Sequence, residues 1–293
     1  MDNRIDFIGL GIMGCPMAGR LLDAKHPLVV HSRTKSRASR LIARGARFLE
    51  SPAEVARESD IVFICVTDTP DVEAVIRGDD GIAASARSGL IIVDHSTISP
   101  SATRQLAEDL AKSGTHFLDA PVSGGDSGAR DGTLSIMVGG DQSAFDRVEP
   151  LLRILGQTIT YCGPSGTGQL TKLVNQILVS VTNLAVCEAL TFARKHRLDL
   201  EKTITALAGG AAGSWQLANL GPRMIAGDFR PGFTINLQQK DLQLVLQAGE
   251  QSKTSLPAAS LAHQLFTAAQ AAGHGKDGTQ ALFTVVEKLA SLH

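Results

Sequence analysis

The chain has 293 residues, 43% of them hydrophobic and 19% charged, the make-up of a soluble globular protein with room for two domains. Its formal net charge of −1 excludes the basic footprint of a nucleic-acid or anionic-membrane binder. Cys15, Cys65, Cys162 and Cys187 stand far apart with no C-x-x-C, which argues for a reduced, cytoplasmic protein without a disulfide framework or a cysteine-based zinc site, and no metal is expected.

The N-terminus, "MDNRIDFIGLGIMG", runs straight into a strand pattern at residues 5–10. It has no apolar h-region and no small-residue cleavage site, so no signal peptide is predicted. The strand leads into Gly9-Leu10-Gly11-Ile12-Met13-Gly14, a G-x-G-x-x-G turn that opens a helix. In that context Gly9 permits the tight turn, Gly11 lets backbone approach a pyrophosphate, and Gly14 allows close helix–strand packing. Pro16 falls in the first helical turn, where N–H groups lack helical partners. The competing reading is a glycine-rich turn without a ligand.

A second strand at 28–31 ends in "HSRTKSR". An NAD-preferring site places Asp or Glu near this strand end to bind the ribose 2′-hydroxyl. Here the position is Ser32, followed by Arg33, Thr34, Lys35 and Arg37. A hydroxyl and cations suit a 2′-phosphate, so NADP(H) is the preferred cofactor and NAD(H) the alternative. The same cations would also make an ordinary solvated helix start.

Further strand candidates follow at 46–48, 60–66, 89–94, 116–120, 134–140 and 158–163, with helical stretches between most of them. Several runs are continuously apolar, which suits a central parallel sheet covered on both faces. After the sixth of these eight segments comes Ser123-Gly124-Gly125. Two glycines after a serine free successive N–H groups for an anion, such as a substrate carboxylate; the alternative is a plain turn of small residues.

After Gly168 strand patterns nearly vanish and four to six helices follow, separated by breaker clusters. The first, near 168–196, would be about 40 Å long. Its longest uncharged stretch, Leu173 to Cys187, is too short for a typical membrane span and contains Asn, Gln, Ser and Thr, so no membrane helix is predicted. The domain boundary is placed near Pro164–Gly166, giving a dinucleotide-binding domain over 1–164 and a helical domain over 165–293. The fold class is α/β: a Rossmann-type domain followed by an all-helical one.

"FIGLGIMGCPM", "DAPVSGG…GTLSIMVGG", "GQLTKLVNQ" and "QQKDLQLVL" occur in this order. Together they resemble the β-hydroxyacid dehydrogenase family, relatives of 6-phosphogluconate and 3-hydroxyisobutyrate dehydrogenases, over essentially the whole chain. The resemblance implies a cleft between two domains and homodimers or homotetramers. It also implies that Lys172 is the general acid/base and that Lys240 of the Lys240-Asp241 pair is a second cation near nicotinamide and substrate. Thr97 falls at the family's nicotinamide-side position. Val66 and Thr67 end a strand near the adenosine side, although "VTDTPDV" departs from the family's usual loop. His95 replaces a more usual apolar residue and reads as a loop histidine. Many family members carry a substrate-binding Asn four residues after the lysine; here that position is Gln176, and Asn175 precedes it.

The chemistry agrees with the resemblance. Reducing an aldehyde puts negative charge on oxygen, and an ammonium both stabilises and protonates it. Partial burial against an apolar helix favours release of that proton in the reverse direction. The competing reading of Lys172 is a solvated helix-end lysine, and that of Lys240-Asp241 a surface pair whose members do not face each other. The implied activity is NAD(P)-dependent interconversion of a small β-hydroxy acid and its semialdehyde, with tartronate semialdehyde and glycerate the favoured pair. Ser123, Gly124, Gly125, Asn175, Gln176 and Lys240 would bind the substrate. Alternatives in the same class are 3-hydroxyisobutyrate, succinic semialdehyde and glyoxylate. An imine reductase would usually lack the lysine, and a non-catalytic nucleotide-binding protein is the reading from another class. Ser214, Trp215 and Phe233 are candidate pocket walls, with Trp215 equally suited to core or interface.

Overall fold

The structure is a computed structural model that describes residues 3–292; the outer ends of the two predicted domains, residues 1 and 293, lie outside the described residues. The strands are β1 Ile5–Ile8, β2 Leu28–His31, β3 Arg47–Phe48, β4 Ile61–Ile64, β5 Ile91–Asp94, β6 His116–Asp119, β7 Val122–Ser123, β8 Leu134–Gly139 and β9 Gly156–Gly163. Helices α1 Gly14–Asp23, α2 Ser39–Ile42, α3 Pro52–Glu58, α4 Thr69–Arg77, α5 Pro100–Ala111, α6 Gly125–Asp131 and α7 Gln142–Leu155 lie among them. Then come α8 Thr167–Lys195, α9 Leu200–Ala208, α10 Gly221–Ile225, α11 Ile235–Gln251, α12 Pro257–Ala271 and α13 Leu282–Leu289. The chain divides into two compact units, Met1–Lys172 and Leu173–His293.

In the first unit the sheet order is β3-β2-β1-β4-β5-β6-β8-β7, with β9 paired to β8. The first six strands run parallel, in the doubly wound order of a Rossmann domain. All eight predicted strand segments contain a strand, mostly trimmed at the ends. The sheet is not wholly parallel: β8 runs antiparallel to β6 and β7, and β9 parallel to β8. The two-residue β7 was not predicted, because a pair this short carries no period of its own; it puts Ser123 opposite Ser135.

Alternation explains why the apolar runs are continuous. Phe7, Ile61, Phe63, Ile91 and Val93 enter one core cluster, while Ile8, Val62, Ile64 and Ile92 enter another. Successive side chains point to opposite faces, so a sheet with a core on both faces needs apolar residues at every position. The second unit has its own core, drawn from α8, α11, α12 and α13 through residues such as Leu190, Leu242, Phe266 and Phe283.

By length and composition alone, α8 is long and apolar enough to cross a membrane, with a mean hydropathy of 1.5 over its best window. This corrects the sequence estimate, which stopped the stretch at its charged neighbours. Within the helix Gln176 and Asn183 are buried, and each bonds another segment of the protein.

His95 follows β5 and is buried, stacked on Phe63 with ring centroids 5.6 Å apart. Its Nδ1–H donates to the Ala120 carbonyl at 2.7 Å. Burial pushes its pKa down to about 4, against a weaker upward pull from that bond. It is therefore a neutral core histidine, in keeping with a non-catalytic role. Because the folded value is depressed, this residue's contribution to stability is present above the unfolded pKa near 6.5 and is lost as pH falls through that value towards about 4. An NMR titration of His95 should show the neutral ring well below pH 6; a midpoint at the ordinary histidine value would contradict this placement.

Candidate active site

The turn after β1 is built by collisions that glycine avoids. A Cβ on Gly9 would strike the Cys65 carbonyl oxygen, and one on Gly14 would strike the carbonyl oxygen of Gly9. Packing therefore dictates both residues. Gly11 differs: a Cβ there meets no protein atom within 4 Å. Nothing in the fold requires glycine at this position, but a pyrophosphate approaching the backbone would. Met13, at the N-cap of α1, makes no side-chain capping bond, so the helix end keeps its positive character for an anion. These residues fit a dinucleotide.

At the end of β2, Ser32 is buried. Arg33 pairs with Asp71 at 3.3 Å although its side chain is 89% exposed, and Lys35 pairs with Glu50. Such solvated pairs are weak, so either cation can exchange its carboxylate for a phosphate at little cost. Val66 N–H donates to Ser96 Oγ at 2.9 Å, and Thr67 is exposed. Thr97 lies in the turn between β5 and α5.

Gly124 and Gly125 both take left-handed φ values, +136° and +65°, which other residues rarely adopt. Their backbone turns sharply between Ser123 at the end of β7 and helix α6.

Lys172 stands one turn into α8 and is only 7% exposed. A solvated helix-end lysine is thereby excluded. Asn175 and Gln176 follow on the same helix face. Two residues that lie within the quoted motifs but were given no role of their own hold the helix start. The Asp119 carboxylate accepts N–H bonds from Gly166 and Gln169, both at 2.8 Å. The Gln169 side chain accepts from Ile98 N–H at 3.1 Å and donates to the Ser96 carbonyl at 2.8 Å. A buried Asp or Gln looks like any other in sequence, and only long-range contacts reveal the role.

The second unit contains a partly buried polar chain. Asn175 Nδ2 donates to Gln176 Oε1 at 2.7 Å, and Gln176 Nε2 donates to Asp241 Oδ2 at 2.5 Å. Asp241 Oδ1 lies 2.7 Å from Lys240 Nζ, with side chains only 2% and 15% exposed. The surface-pair reading of Lys240-Asp241 is therefore overturned. Neighbours on a helix point apart, but the four-carbon stem of lysine lets its ammonium return to the adjacent carboxylate. The network also sets the Gln176 amide, since only its NH2 can donate to a carboxylate.

Among the candidate pocket walls, Trp215 is 60% exposed and so is not a core residue. Ser214 Oγ accepts from Leu217 N–H at 3.1 Å, which caps the short helical turn that follows. Phe233 is half-buried.

Residues 4–163 match the family model for the NAD binding domain of 6-phosphogluconate dehydrogenase. Residues 166–286 match that for the NAD-binding domain of NADP-dependent 3-hydroxyisobutyrate dehydrogenase. The chain is 45% identical to 2-hydroxy-3-oxopropionate reductase of Escherichia coli (strain K12), over 98% of each chain. Among solved structures it is similar to Mycobacterium tuberculosis 3-hydroxyisobutyrate dehydrogenase with L-serine, at 32% identity and a TM-score of 0.88, covering 98% of this chain and 99% of that one. It is also similar to Psf3 in complex with NADP+ and 2-OPP, at 28% identity and a TM-score of 0.90, covering 96% and 99%.

The open space at Gly11 yields a direct test. Gly11→Ala should change stability by no more than about 1 kcal/mol, because the methyl meets no protein atom. It should weaken dinucleotide binding by at least about tenfold, because that methyl would fill the space the pyrophosphate approaches. Thermal unfolding and a fluorescence titration with NADPH measure the two quantities; unchanged affinity would remove the loop from the binding site.

Proposed function

The chain belongs to the β-hydroxyacid dehydrogenase family of NAD(P)-dependent oxidoreductases, and from that premise we propose that it reduces tartronate semialdehyde (2-hydroxy-3-oxopropanoate) to glycerate with NADPH. The observation that carries the reaction type is the nearly buried ammonium of Lys172, one turn into α8 and in the same compact unit as the dinucleotide loop. The substrate assignment is supported by the 45% identity to 2-hydroxy-3-oxopropionate reductase over almost the full length of both chains.

When bound, the nicotinamide supplies the hydride that reaches the aldehyde carbon. Ser123, Gly124 and Gly125 hold the substrate carboxylate through the serine hydroxyl and backbone N–H groups. Lys172 Nζ faces the aldehyde oxygen, stabilises the charge that grows there and delivers the proton that completes the alcohol. Asn175 and Gln176 offer amide groups on the same face of α8. Gln176 is tied to Asp241, so its orientation is set before substrate arrives. Lys240, paired with that same Asp241, supplies a second cation for the substrate and the nicotinamide end. Thr97 contacts the nicotinamide side, and Val66 and Thr67 the adenosine side.

NADP(H) is preferred because Ser32 stands where a carboxylate would select NAD, with Arg33, Thr34 and Lys35 beside it. A homodimer or homotetramer completes the reading. Val174, Leu178 and Phe192 leave large apolar side chains exposed along α8, of the kind that subunit contacts bury. The 3-hydroxyisobutyrate dehydrogenase similarity over residues 166–286 makes 3-hydroxyisobutyrate the second reading.

NADPH oxidation should be fastest, by kcat/KM, with tartronate semialdehyde among a panel including methylmalonate semialdehyde, succinic semialdehyde and glyoxylate. A higher value with methylmalonate semialdehyde would favour the second reading. Lys172→Ala should lower kcat by about 10²–10⁴-fold while NADPH affinity persists; near-normal turnover would sink the mechanism. With the preferred aldehyde, kcat/KM should be higher with NADPH than with NADH, and the reverse order would refute the assignment of Ser32 and Arg33.

A further inference from the structure

Lys172 is three residues beyond Gln169, on the same side of the first turns of α8. Gln169 is fully buried. Its side-chain amide behaves as a short strand would. It accepts the N–H of Ile98 at 3.1 Å and donates to the carbonyl of Ser96 at 2.8 Å, so it grips the backbone on both sides of Thr97. Its own backbone N–H is held at 2.8 Å by the Asp119 carboxylate, which also takes Gly166 N–H. Between those residues, a Cβ on Gly168 would lie 2.5 Å from the Met137 carbonyl oxygen and 2.7 Å from that of Asp119. The start of α8 is therefore seated directly on the ends of β6 and β8 and tied across to the turn after β5.

We infer that Gln169 is a positioning residue for hydride and proton transfer, which sets the lysine-bearing turn of α8 against the Thr97 turn. The inference rests on the reading of Lys172 as the proton donor and of Thr97 as a nicotinamide contact. Its physical basis is that a side-chain amide is the one group of this length that presents a donor and an acceptor together. An ionised glutamate has no donor for the Ser96 carbonyl, a methionine has neither group, and an asparagine is one methylene too short. Gln169 touches neither substrate nor cofactor in this role. It acts through the placement of two groups that do, and such placement is sensitive: a displacement of about 1 Å at a reacting centre can cost about 10²-fold in rate.

Gln169→Met keeps the length and apolar bulk and removes both bonds. It should lower kcat by about 10–10²-fold with little change in NADPH affinity. Val148→Ala, a cavity in the core under α7, serves as the stability control. It should lower the unfolding temperature without a matching loss of kcat. The inference is overturned if Gln169→Met keeps wild-type kcat, or if its loss of kcat merely tracks its loss of stability as in the control. A double-mutant cycle with Lys172→Ala separates the two readings. If Gln169 acts through Lys172, adding Gln169→Met to Lys172→Ala should cost far less than it does alone. Full multiplication of the two defects would overturn the inference and leave Lys172 in its role. If Lys172→Ala alone keeps its turnover, the reading of Lys172 fails and the positioning role falls with it.

Discussion

The carboxylate of Asp119, at the last residue of β6, takes the N–H groups that open α8. Those donors have no partner inside the helix, and the positive end of the helix axis points at the charge. Burial pushes the Asp119 carboxyl above its ordinary value, and the backbone bonds from Gly166, Gln169 and Gly168 pull the other way without reversing the shift. A buried carboxylate is tolerable only with such partners. This contact joins the carboxyl end of β6, an interior strand, to the start of α8. The register of the first turns of α8, and with it the direction of Lys172, depends on where that first turn is pinned.

The sheet itself is a consequence of burial on two faces. Because β1, β4 and β5 send alternate side chains into separate cores, their apolar runs must be continuous, and any charged residue in them must find a polar partner. Asp6 and Asp94 obey this: the Asp6 carboxylate accepts from Val29 N–H at 2.7 Å and from the Ser59 hydroxyl, and Asp94 Oδ1 accepts from Ser96 N–H at 2.9 Å. At the carboxyl end of β1 the chain turns through Gly9, where a side chain would collide with the Cys65 carbonyl oxygen. The carboxyl ends of these strands carry the loops to which binding is assigned.

Polar burial elsewhere follows a similar economy. Asn175, Gln176, Asp241 and Lys240 form one connected chain, so each buried group has a neighbour and the orientation of each is dictated by the next. A fully connected chain is rigid, and rigidity is what a group that must meet a substrate in one orientation requires. Substituting Asn for Gln176 shortens the side chain by one methylene and would break the link to Asp241. This gives the Gln at this position a structural reason independent of any substrate.

The glycine spacing after the first strand, the period of the apolar runs and the loss of strand patterns after Gly168 were enough to determine a Rossmann-type domain followed by helices. Those features are local, since steric permission at a turn and burial on two faces are written in consecutive residues. The Ser123-Gly124-Gly125 turn and the absence of a carboxylate at Ser32 are visible as local patterns, and Lys172 through the family resemblance; their roles in binding and catalysis are proposed. Tertiary structure decided the rest: the burial of Lys172, the meeting of Lys240 with Asp241, the core role of His95, and the pairing of β7 with β8. It also decided that Asp119 and Gln169 hold the start of α8. Each of these depends on which distant segment comes alongside, and a buried carboxylate or amide carries no mark in sequence of the partner that makes its burial affordable.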